Sequence, residues 1–149
     1  MKISTKGRYA MWLMLDLAEH AEEGCASVKS IAQRQGISDK YLEQIIKSLS
    51  EAGLVESHRG KQGGYTLTKP VQEYTVGEIL RVTEGSLALV SCVEDASCCA
   101  QCGGCVTKDV WQKISDAIND VVDHITLDTL VQKQKDSPHA NRTPCHGAR

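Results

Sequence analysis

Five of the seven cysteines in this chain lie in one short stretch, residues 92–105, which reads CVEDASCCAQCGGC. Cysteine thiolates are soft ligands that hold iron–sulfur clusters or zinc, and a thiolate of low pKa also undergoes reversible oxidation. The polarity of the stretch and the density of its thiols argue against buried, inert cysteines. The residues alone leave three kinds of site open: an iron–sulfur cluster, a zinc site or a set of redox thiols.

The spacing of these cysteines offers more than one ligand set. Cys99, Cys102 and Cys105 follow one another with two residues between each pair, and Cys92 lies further upstream. The two glycines at 103–104 give the backbone the freedom to wrap around a cluster. A tetrahedral zinc ion would accept four of the same thiolates. Spacing therefore indicates a thiolate site without fixing its occupant.

The bulk composition describes an ordinary globular chain. It has 149 residues, 41% hydrophobic residues, no phenylalanine and a formal net charge of −2. The core must therefore be aliphatic. No apolar run approaches the length of a membrane span or of a signal peptide, so we expect a cytoplasmic protein with no membrane partner. In the reducing cytoplasm, clustered cysteines are more often ligands or redox thiols than disulfides.

Three helices are predicted in the first third of the chain, at residues 4–20, 28–35 and 39–52. In each of them apolar residues recur at three- and four-residue steps. Gly36 ends the second helix and Ser38 is a good N-cap for the third. Two helices joined by a short turn that contains glycine form the helix-turn-helix pattern.

A β-hairpin is predicted directly after the third helix. Its strands are residues 54–58 and 65–68, and its tip, residues 59–64, is basic and rich in glycine. A hairpin at this place is the wing of a winged helix. We therefore expect a mainly α protein, with a winged helix-turn-helix DNA-binding domain in residues 1–90.

The surfaces of these elements carry side chains suited to DNA. Gln, Lys and Glu on the exposed face of the third helix can read base edges in the major groove. Basic residues near the first helix can contact phosphates, and an arginine on a thin loop can enter a narrow minor groove. The expected DNA-contacting residues are Lys2, Lys6, Arg8, Lys40, Tyr41, Glu43, Gln44, Lys47, Arg59, Gly60 and Lys61. Against the alternative, a winged-helix protein-interaction domain, stand the polar residues exposed on the third helix. A plain tight hairpin would explain Gly63 and Gly64 but not Arg59 and Lys61.

A fourth helix and a long fifth one are predicted in the second half of the chain. Thr75 and Glu78 form a capping box that begins the fourth helix, which ends near Gly85. The cysteine loop, residues 91–105, follows it.

The long helix, residues 106–125, has an apolar face too wide for so small a domain to cover alone. A second copy would cover it, as recognition of a palindromic DNA site requires, although the first turns can also pack on their own domain. The expected dimerisation residues are Val110, Ile114, Ile118, Val121, Val122 and Ile125. We assign residues 106–131 to this helix and the segment after it, and residues 132–149 to a polar, disordered tail.

Five stretches of the sequence resemble one family of bacterial winged-helix regulators. They are MKISTKGRYA, YLEQIIKSLSEAGLVES, RGKQGGYTL, VGEILRVTEG and CVTKDVW…ITLDTLV. The family is typified by the iron–sulfur cluster regulator IscR, the nitric-oxide sensor NsrR, the iron regulator RirA and the cysteine-metabolism regulator CymR. The resemblance covers about residues 1–131 and favours a cluster-binding, IscR-like member. It implies a homodimer that binds double-stranded DNA through the third helix and the wing.

The resemblance also implies a ligand set. Cluster-binding members use three cysteines, the last two separated by five residues. The matching positions here are Cys92, Cys99 and Cys105, with Cys98 and Cys102 as alternates. The cluster would be [2Fe–2S], with [4Fe–4S] possible. Two positions that supply a fourth ligand in some members are here Lys108 and Arg8, so a spare cysteine is the candidate. Glu43 matches a residue that selects between classes of DNA site.

Together these observations predict a sequence-specific transcription regulator. Its operator binding would be controlled by an iron–sulfur cluster that senses redox state, nitric oxide or iron and cluster status. One alternative is the same fold with zinc or no metal, regulated by a partner enzyme of cysteine metabolism. Another is a thiol-redox enzyme that uses Cys99 and Cys102. Such an enzyme would need a low-pKa cysteine beside a helix N-terminus and would leave the wing without a use.

Overall fold

The computed structural model describes residues 2–99 and 103–137 and shows a mainly helical chain with one two-stranded antiparallel sheet. The helices are α1 (Thr5–Glu19), α2 (Val28–Gln35), α3 (Asp39–Glu51), α4 (Val76–Glu84), α5 (Ser91–Glu94), α6 (Val106–His124) and α7 (Leu127–Lys135). The strands are β1 (Val55–His58) and β2 (Gly64–Leu67). Among the described residues, no helix has both the length and the apolar character that crossing a membrane requires.

Helices α1 to α3 confirm the predicted helix-turn-helix. The side-chain oxygens of Ser27 and Ser38 accept hydrogen bonds from backbone N–H groups of the first turns of α2 and α3, as N-caps do. Gly36 has the left-handed conformation, with φ of 64°, that ends α2 and turns the chain toward α3. The short turn thereby sets the angle between the two helices.

The core is aliphatic, as the lack of phenylalanine predicted. Fully buried side chains come from α1, α2, α3, β1, α4 and α7, and they are Leu13, Met14, Ile31, Leu42, Ile45, Ile46, Leu49, Val55, Ile79 and Leu127. Burying each of them contributes roughly 1.5–3 kcal/mol relative to exposure. The one large aromatic residue in this group is Tyr74.

The hairpin β1–β2 is the predicted wing. Its register pairs Val55 with Leu67 and His58 with Gly64, so residues 59–63 form the tip. The backbone of Ala26, in the connection between α1 and α2, exchanges two hydrogen bonds with Tyr65 of β2 (3.1 and 2.9 Å). The wing is therefore tied to the helix-turn-helix at its inner strand.

Helix α4 begins as predicted, but only half of the capping box forms. The Thr75 hydroxyl accepts from the backbone N–H of Glu78 at 3.1 Å. The Glu78 carboxylate does not turn back to the cap but accepts two hydrogen bonds, both of 2.8 Å, from the ammonium of Lys69. A full positive charge within reach is a stronger partner for a carboxylate than a backbone amide is.

The segment predicted as a cysteine loop contains regular turns. It begins with α5 and continues in the 3₁₀ turn Ala96–Cys98, where the Asp95 carboxylate accepts from the backbone N–H of Ser97 at 2.8 Å. Cys102 lies at a position outside the described residues. The predicted loop is therefore corrected at two short stretches, Ser91–Glu94 and Ala96–Cys98, and the Asp95 side chain caps the second of them.

Helix α6 confirms the predicted long helix, and α7 corrects the expected start of the tail. Residues 132–135, assigned to a disordered tail, are helical. The Thr126 hydroxyl caps α7, and Leu127 and Val131 are buried beside α1. Burial of Leu127 and Val131 holds α7 in place although the residues after them are polar. Helix α7 therefore completes the core of the winged helix. The rest of the predicted tail, from residue 138 on, lies outside the described residues.

Candidate nucleic-acid interface and cysteine segment

One face of α3 is free of packing and carries four polar side chains. The buried stripe of the helix is formed by Leu42, Ile45, Ile46 and Leu49. Lys40, Glu43, Gln44 and Lys47, at steps of three and four residues on the other side, are exposed. This spacing places four side chains that are predicted to contact DNA on one line along the helix, which is the arrangement that an α-helix presents to a major groove.

Two other predicted DNA contacts, Tyr41 and Arg8, take part in an aromatic cluster between α1 and α3. The ring of Tyr41 meets the ring of Tyr9 edge-on, with centroids 5.7 Å apart. Tyr9 stacks on Trp12 at 5.2 Å, and the guanidinium of Arg8 lies 5.8 Å from the Trp12 ring centroid. These contacts fix the first turn of α3 against α1, so Tyr41 positions the reading face from its edge.

The N-terminus of α1 carries the predicted lysines together with a contact that the sequence did not indicate. Lys2 is exposed and Lys6 is half-buried. Ser4 caps the helix by accepting from the N–H of Gly7 at 3.1 Å. The carboxylate of Glu84, the last residue of α4, accepts from the N–H and hydroxyl of Ser4 at 3.2 and 2.6 Å. A contact between residues so distant in sequence leaves no local pattern.

The wing presents Arg59, Gly60 and Lys61 in exposed positions at a tight tip. The N–H of Gly63 donates to the carbonyl of Gly60 at 2.9 Å and closes the turn. The three predicted wing contacts therefore lie together on a narrow loop, where a guanidinium can reach into a groove.

The base of the wing is held by the hydroxyl of Tyr74, a residue that sequence reasoning did not single out. The hydroxyl donates to the Leu54 carbonyl at 2.8 Å. It accepts from the N–H groups of Thr68 and Lys69 at 2.8 and 3.1 Å. Tyr74 is fully buried, and its partners are these three backbone groups, on both sides of the hairpin, and the hydroxyl of Thr68 at 3.1 Å. Since backbone partners carry no residue signature, only an unexplained tyrosine before the Thr75 cap pointed to this site.

A buried carboxylate on α1 fixes the helix-turn-helix and was also missed. Asp16 is 1% exposed, and it accepts from Arg34 Nε at 3.0 Å and from Gln35 Nε2 at 2.8 Å. The hydrogen bond to Asp16 raises the pKa of Arg34 above its usual value, so the guanidinium stays charged. Both partners lie at the end of α2, so the network holds α2 against α1.

The described cysteines of the thiol segment lie on different short elements. Cys92 is half-buried in α5, and Cys98 and Cys99 are exposed. The Cys98 thiol donates to the Ser91 hydroxyl at 3.6 Å, and Cys105 is the N-cap residue of α6. Sulfur donors in this number suit iron–sulfur or zinc chemistry. Within residues 2–99 and 103–137, no three His, Cys, Asp or Glu side chains are grouped closely enough to hold a metal ion.

The thiol of Cys105 has an electrostatic environment that favours the thiolate. The Thr107 hydroxyl, 3.1 Å from the sulfur, and the N–H groups of Lys108 and Thr107 lower the pKa of Cys105 below its usual value. These donors lie at the start of a 19-residue helix, where backbone N–H groups stabilise negative charge. Cys105 is therefore suited to be a ligand or a reactive thiolate.

The predicted dimerisation residues on α6 divide into two groups. Val110, Ile114 and Val121 are exposed by 49, 39 and 56%, and Val106 and Trp111 extend the same apolar surface. The other three, which are half-buried, are Ile118, Val122 and Ile125. Helix α6 packs against α4, and Val122 of this second group lies beside Gly77 of that helix. The exposed group, which we call the α6 apolar stripe (Val106, Val110, Trp111, Ile114 and Val121), is not covered by the described residues.

Comparison with known proteins agrees with this architecture. The model of the family Rrf2, described as iron-dependent transcriptional regulators, matches residues 3–133. The CymR regulator of Bacillus subtilis is 43% identical over 130 residues, which are 87% of this chain and 89% of that protein. The IscR regulator of Pectobacterium atrosepticum is 42% identical over 136 residues, 91% of this chain and 82% of that protein.

Solved structures give the same result. The structure of CymR, the global cysteine regulator of B. subtilis, matches with a TM-score of 0.76 and 41% identity over 89% of this chain and 98% of that chain. T. potens IscR matches with a TM-score of 0.73 and 45% identity over 96% of this chain and 93% of that chain. The matches span the winged helix, the cysteine segment and α6 together, so this chain belongs to the Rrf2 family of winged-helix transcriptional regulators.

Proposed function

We propose that this chain is a cytoplasmic, homodimeric regulator whose binding to specific operators is controlled by an iron–sulfur cluster in the cysteine segment. The observation that carries the proposal is the position of that segment. It begins after α4, which belongs to the winged helix, and it ends at Cys105, which caps α6. A change in its ligation therefore acts on the two elements that join the DNA-reading domain to the apolar stripe.

The DNA-binding part of the proposal rests on three exposed surfaces. The face of α3 supplies Gln44 and Glu43 for base edges, and the wing tip supplies Arg59 for the minor groove. Lys2 and Lys6, at the start of α1, are placed for phosphates. We propose that Lys40, Lys47, Gly60 and Lys61 complete these surfaces, and that Tyr41 and Arg8 support them from the aromatic cluster.

The ligand set proposed for the cluster is Cys92, Cys99 and Cys105, with Cys98 or Cys102 as the fourth ligand. The lowered pKa of Cys105 favours its thiolate form. Cys92 lies in α5, and Cys99 directly follows the 3₁₀ turn Ala96–Cys98. These thiols must move together to bind one cluster, since the described side chains are not grouped. When bound, such a cluster supplies a redox-active iron centre whose charge depends on its environment.

The proposed dimer rests on the α6 apolar stripe. Val106 is 83% exposed and Val121 is 56% exposed, and both lie on one long face of α6 with Val110 and Ile114. A contiguous exposed apolar surface of this kind marks an interaction site. A second copy of α6 is the occupant that matches both the helix and the two-fold symmetry of operators.

A second candidate function has a specific observation in its favour. The chain is 43% identical to the B. subtilis regulator CymR, whose solved structure is described as that of a global cysteine regulator. Under this alternative the same winged helix reads DNA, the cysteine segment holds zinc or no metal, and a protein partner carries the signal. The number of thiols in residues 92–105 favours the cluster over this alternative.

Metal content and footprints decide between the two candidates. We expect anaerobically purified protein to be brown and to contain about equal amounts of iron and acid-labile sulfide. Cluster-loaded and cluster-free protein should then give different footprints or affinities on the same genomic fragments. Colourless protein with stoichiometric zinc would reject the cluster. A cluster whose removal leaves every footprint unchanged would reject its role as the switch.

The ligand assignment has its own test. Replacing Cys92, Cys99 or Cys105 by alanine should remove the visible absorption of the cluster. The matched control is Cys25→Ala, because Cys25 is also an exposed cysteine but lies between α1 and α2. Loss of the cluster in Cys98→Ala with its retention in Cys99→Ala would overturn the assignment and leave the cluster itself in place.

A further inference from the structure

The carboxylate of Glu84 connects the end of α4 to the DNA-facing start of α1. Besides its two hydrogen bonds from Ser4, at 3.2 and 2.6 Å, it lies directly against Gly7. A β-carbon at position 7 would collide with the carboxylate, so the close approach requires glycine there. Helix α1 has no acidic residue in its own first turn. Glu84 therefore supplies, from another helix, the negative charge that a helix N-terminus favours.

The other end of this connection leads to the cysteines. Residues 85–90 join Glu84 to α5, where Cys92 lies, and the connector is anchored at two points. Leu87 is 4% exposed, and the N–H of Leu89 donates to the buried hydroxyl of Ser115 on α6 at 3.4 Å. Because packed side chains shift together, we expect a displacement of α5 to move residues 85–90 and, through them, Glu84.

The start of α1 lies beside the reading face as well as beside Glu84. Tyr9, on the opposite side of α1 from Gly7, contacts Tyr41 in the first turn of α3. Lys2 and Lys6 flank Ser4 in sequence and carry the charges proposed for phosphates. A shift of Glu84 thus changes the charge and the position of a helix end that contacts α3 directly.

We propose that Glu84 is a positioning residue that couples the cysteine segment to the start of α1, and through it to DNA. The inference rests on the DNA-binding half of the proposed function and adds a route within one chain. Coupling of this kind is reciprocal, so DNA bound at α1 and α3 must also alter the connector, residues 85–90. That reciprocal effect can be measured whatever metal the cysteine segment holds.

Two variants break the connection in different ways, and a third serves as the control. Glu84→Gln keeps the shape of the side chain and removes its charge. Gly7→Ala keeps the charge and displaces the carboxylate. The control is Glu78→Gln, which removes a carboxylate of the same helix that binds Lys69 and not α1. Gly7→Ala does not change the charge. If it has the same effect as Glu84→Gln, the effect comes from the lost contact between Glu84 and α1 and not from a general change in charge near DNA.

Amide hydrogen exchange of residues 85–90 is measured with and without DNA, and the probe is the duplex that the wild-type chain enriches most from a random-sequence library. We expect DNA to slow exchange in the wild type and in Glu78→Gln by about fivefold or more. The same duplex should leave exchange unchanged in Glu84→Gln and Gly7→Ala. If the contact only stabilises the fold, the two variants will have a lower unfolding midpoint but the same response to DNA as the wild type. That result would overturn the proposal.

The same series separates this inference from the cluster hypothesis. DNA affinity is measured for cluster-loaded and cluster-free forms of each protein. If the two forms of the wild type bind DNA equally, the proposed switch fails, and the DNA-dependent exchange at residues 85–90 still decides the role of Glu84. A connector that does not respond to DNA in the wild type would overturn the inference, even if the cluster controls affinity.

Discussion

At the scale of single residues, loss of the Asp16 side chain should destabilise the fold. Its carboxylate is 1% exposed and serves Arg34 and Gln35 together. In Asp16→Ala the partly exposed guanidinium of Arg34 would lose its counter-charge, and the buried Gln35 would lose its partner. Removing one member of a buried pair costs about 3–5 kcal/mol, and the partial exposure of Arg34 puts our expectation at about 3 kcal/mol. The measurement is the free energy of unfolding in urea.

The control for this change is Glu51→Ala. Glu51 and Lys47 are both exposed, 3.9 Å apart, and such a pair is worth about 1 kcal/mol at most. Asp16 raises the pKa of Arg34, so the guanidinium's contribution is complete below the usual arginine pKa and is lost only as pH rises through the raised value. The destabilisation should therefore be equal at pH 6 and pH 9. A pronounced difference between the two would show that another group carries the effect.

The two polar residues Gln44 and Lys47 lie on the same face of α3 but should behave differently. Gln44→Ala should cost roughly 1–3 kcal/mol and relax specificity at one position in each half-site, because an amide reads a base edge. Lys47→Ala should weaken all sequences alike and reduce the salt slope by about one phosphate contact. Binding to a panel of single-base operator variants at several salt concentrations measures both effects. Equal losses on every sequence in Gln44→Ala would contradict base reading.

At the scale of elements, the wing depends on one hydroxyl behind it. Tyr74→Phe would leave the Leu54 carbonyl and two backbone N–H groups without their shared partner in a buried place. We expect a loss of about 1–3 kcal/mol in the free energy of unfolding and weaker DNA binding. Adding Arg59→Ala should then cost less affinity than it does in the wild type. The control is Tyr65→Phe, on the half-buried strand β2. If the losses of DNA affinity caused by Tyr74→Phe and Arg59→Ala are fully additive, the result would argue against this anchor.

The elements themselves were largely predictable, and the reason is local. Repeating apolar positions and serine caps fix α1 to α3, and the apolar period of α6 fixes the long helix. The connections between elements were not predictable, since Glu84 meets Ser4 and Tyr74 meets backbone groups far away in sequence. The same limit explains α7, whose helical end depends on the burial of Leu127 and Val131 beside α1.

The contact between α4 and α6 should depend on pH in the acid range. Arg81 donates to both carboxylate oxygens of Asp123, at 2.6 and 2.8 Å, and these hydrogen bonds lower the pKa of Asp123. A lowered pKa gives stability that is complete above the usual aspartate pKa and is lost as pH falls through the lowered value. Both side chains are 41% exposed, so the pair contributes about 1 kcal/mol at most.

The corresponding test compares Asp123→Asn with the wild type over a pH series. The difference in free energy of unfolding should be small but measurable at pH 7 and should shrink as the pH falls below about 4. Asp116→Asn is the control, because the Asp116 carboxylate accepts from the neutral amide of Gln112 at 2.9 Å. A difference that grows as pH falls would have the wrong sign and would contradict the assignment.

At the scale of the whole molecule, the apolar stripe on α6 is a surface that the described residues of one chain leave uncovered. The sequence predicted its helix and its apolar residues, but periodicity cannot tell which side of a wide apolar face its own domain will cover. The packing of α6 on α4 makes that division. Of the predicted set, Val110 and Val121 are the most exposed, and substitutions there test the dimer with the least damage to the fold.

We therefore expect Val121→Asp to split the proposed homodimer, since a carboxylate within an apolar interface loses its hydration without gaining a partner. A monomer contacts one half-site, so operator affinity should fall together with dimerisation. Sedimentation at micromolar concentration and operator binding measure the two effects, and the monomer should keep its fold because Val121 is 56% exposed in the single chain. The control is Asp116→Lys, which changes an exposed residue on another face of α6 and should leave the dimer intact. Stable wild-type monomers, or a monomeric Val121→Asp that binds the operator at full affinity, would show that the stripe serves another partner.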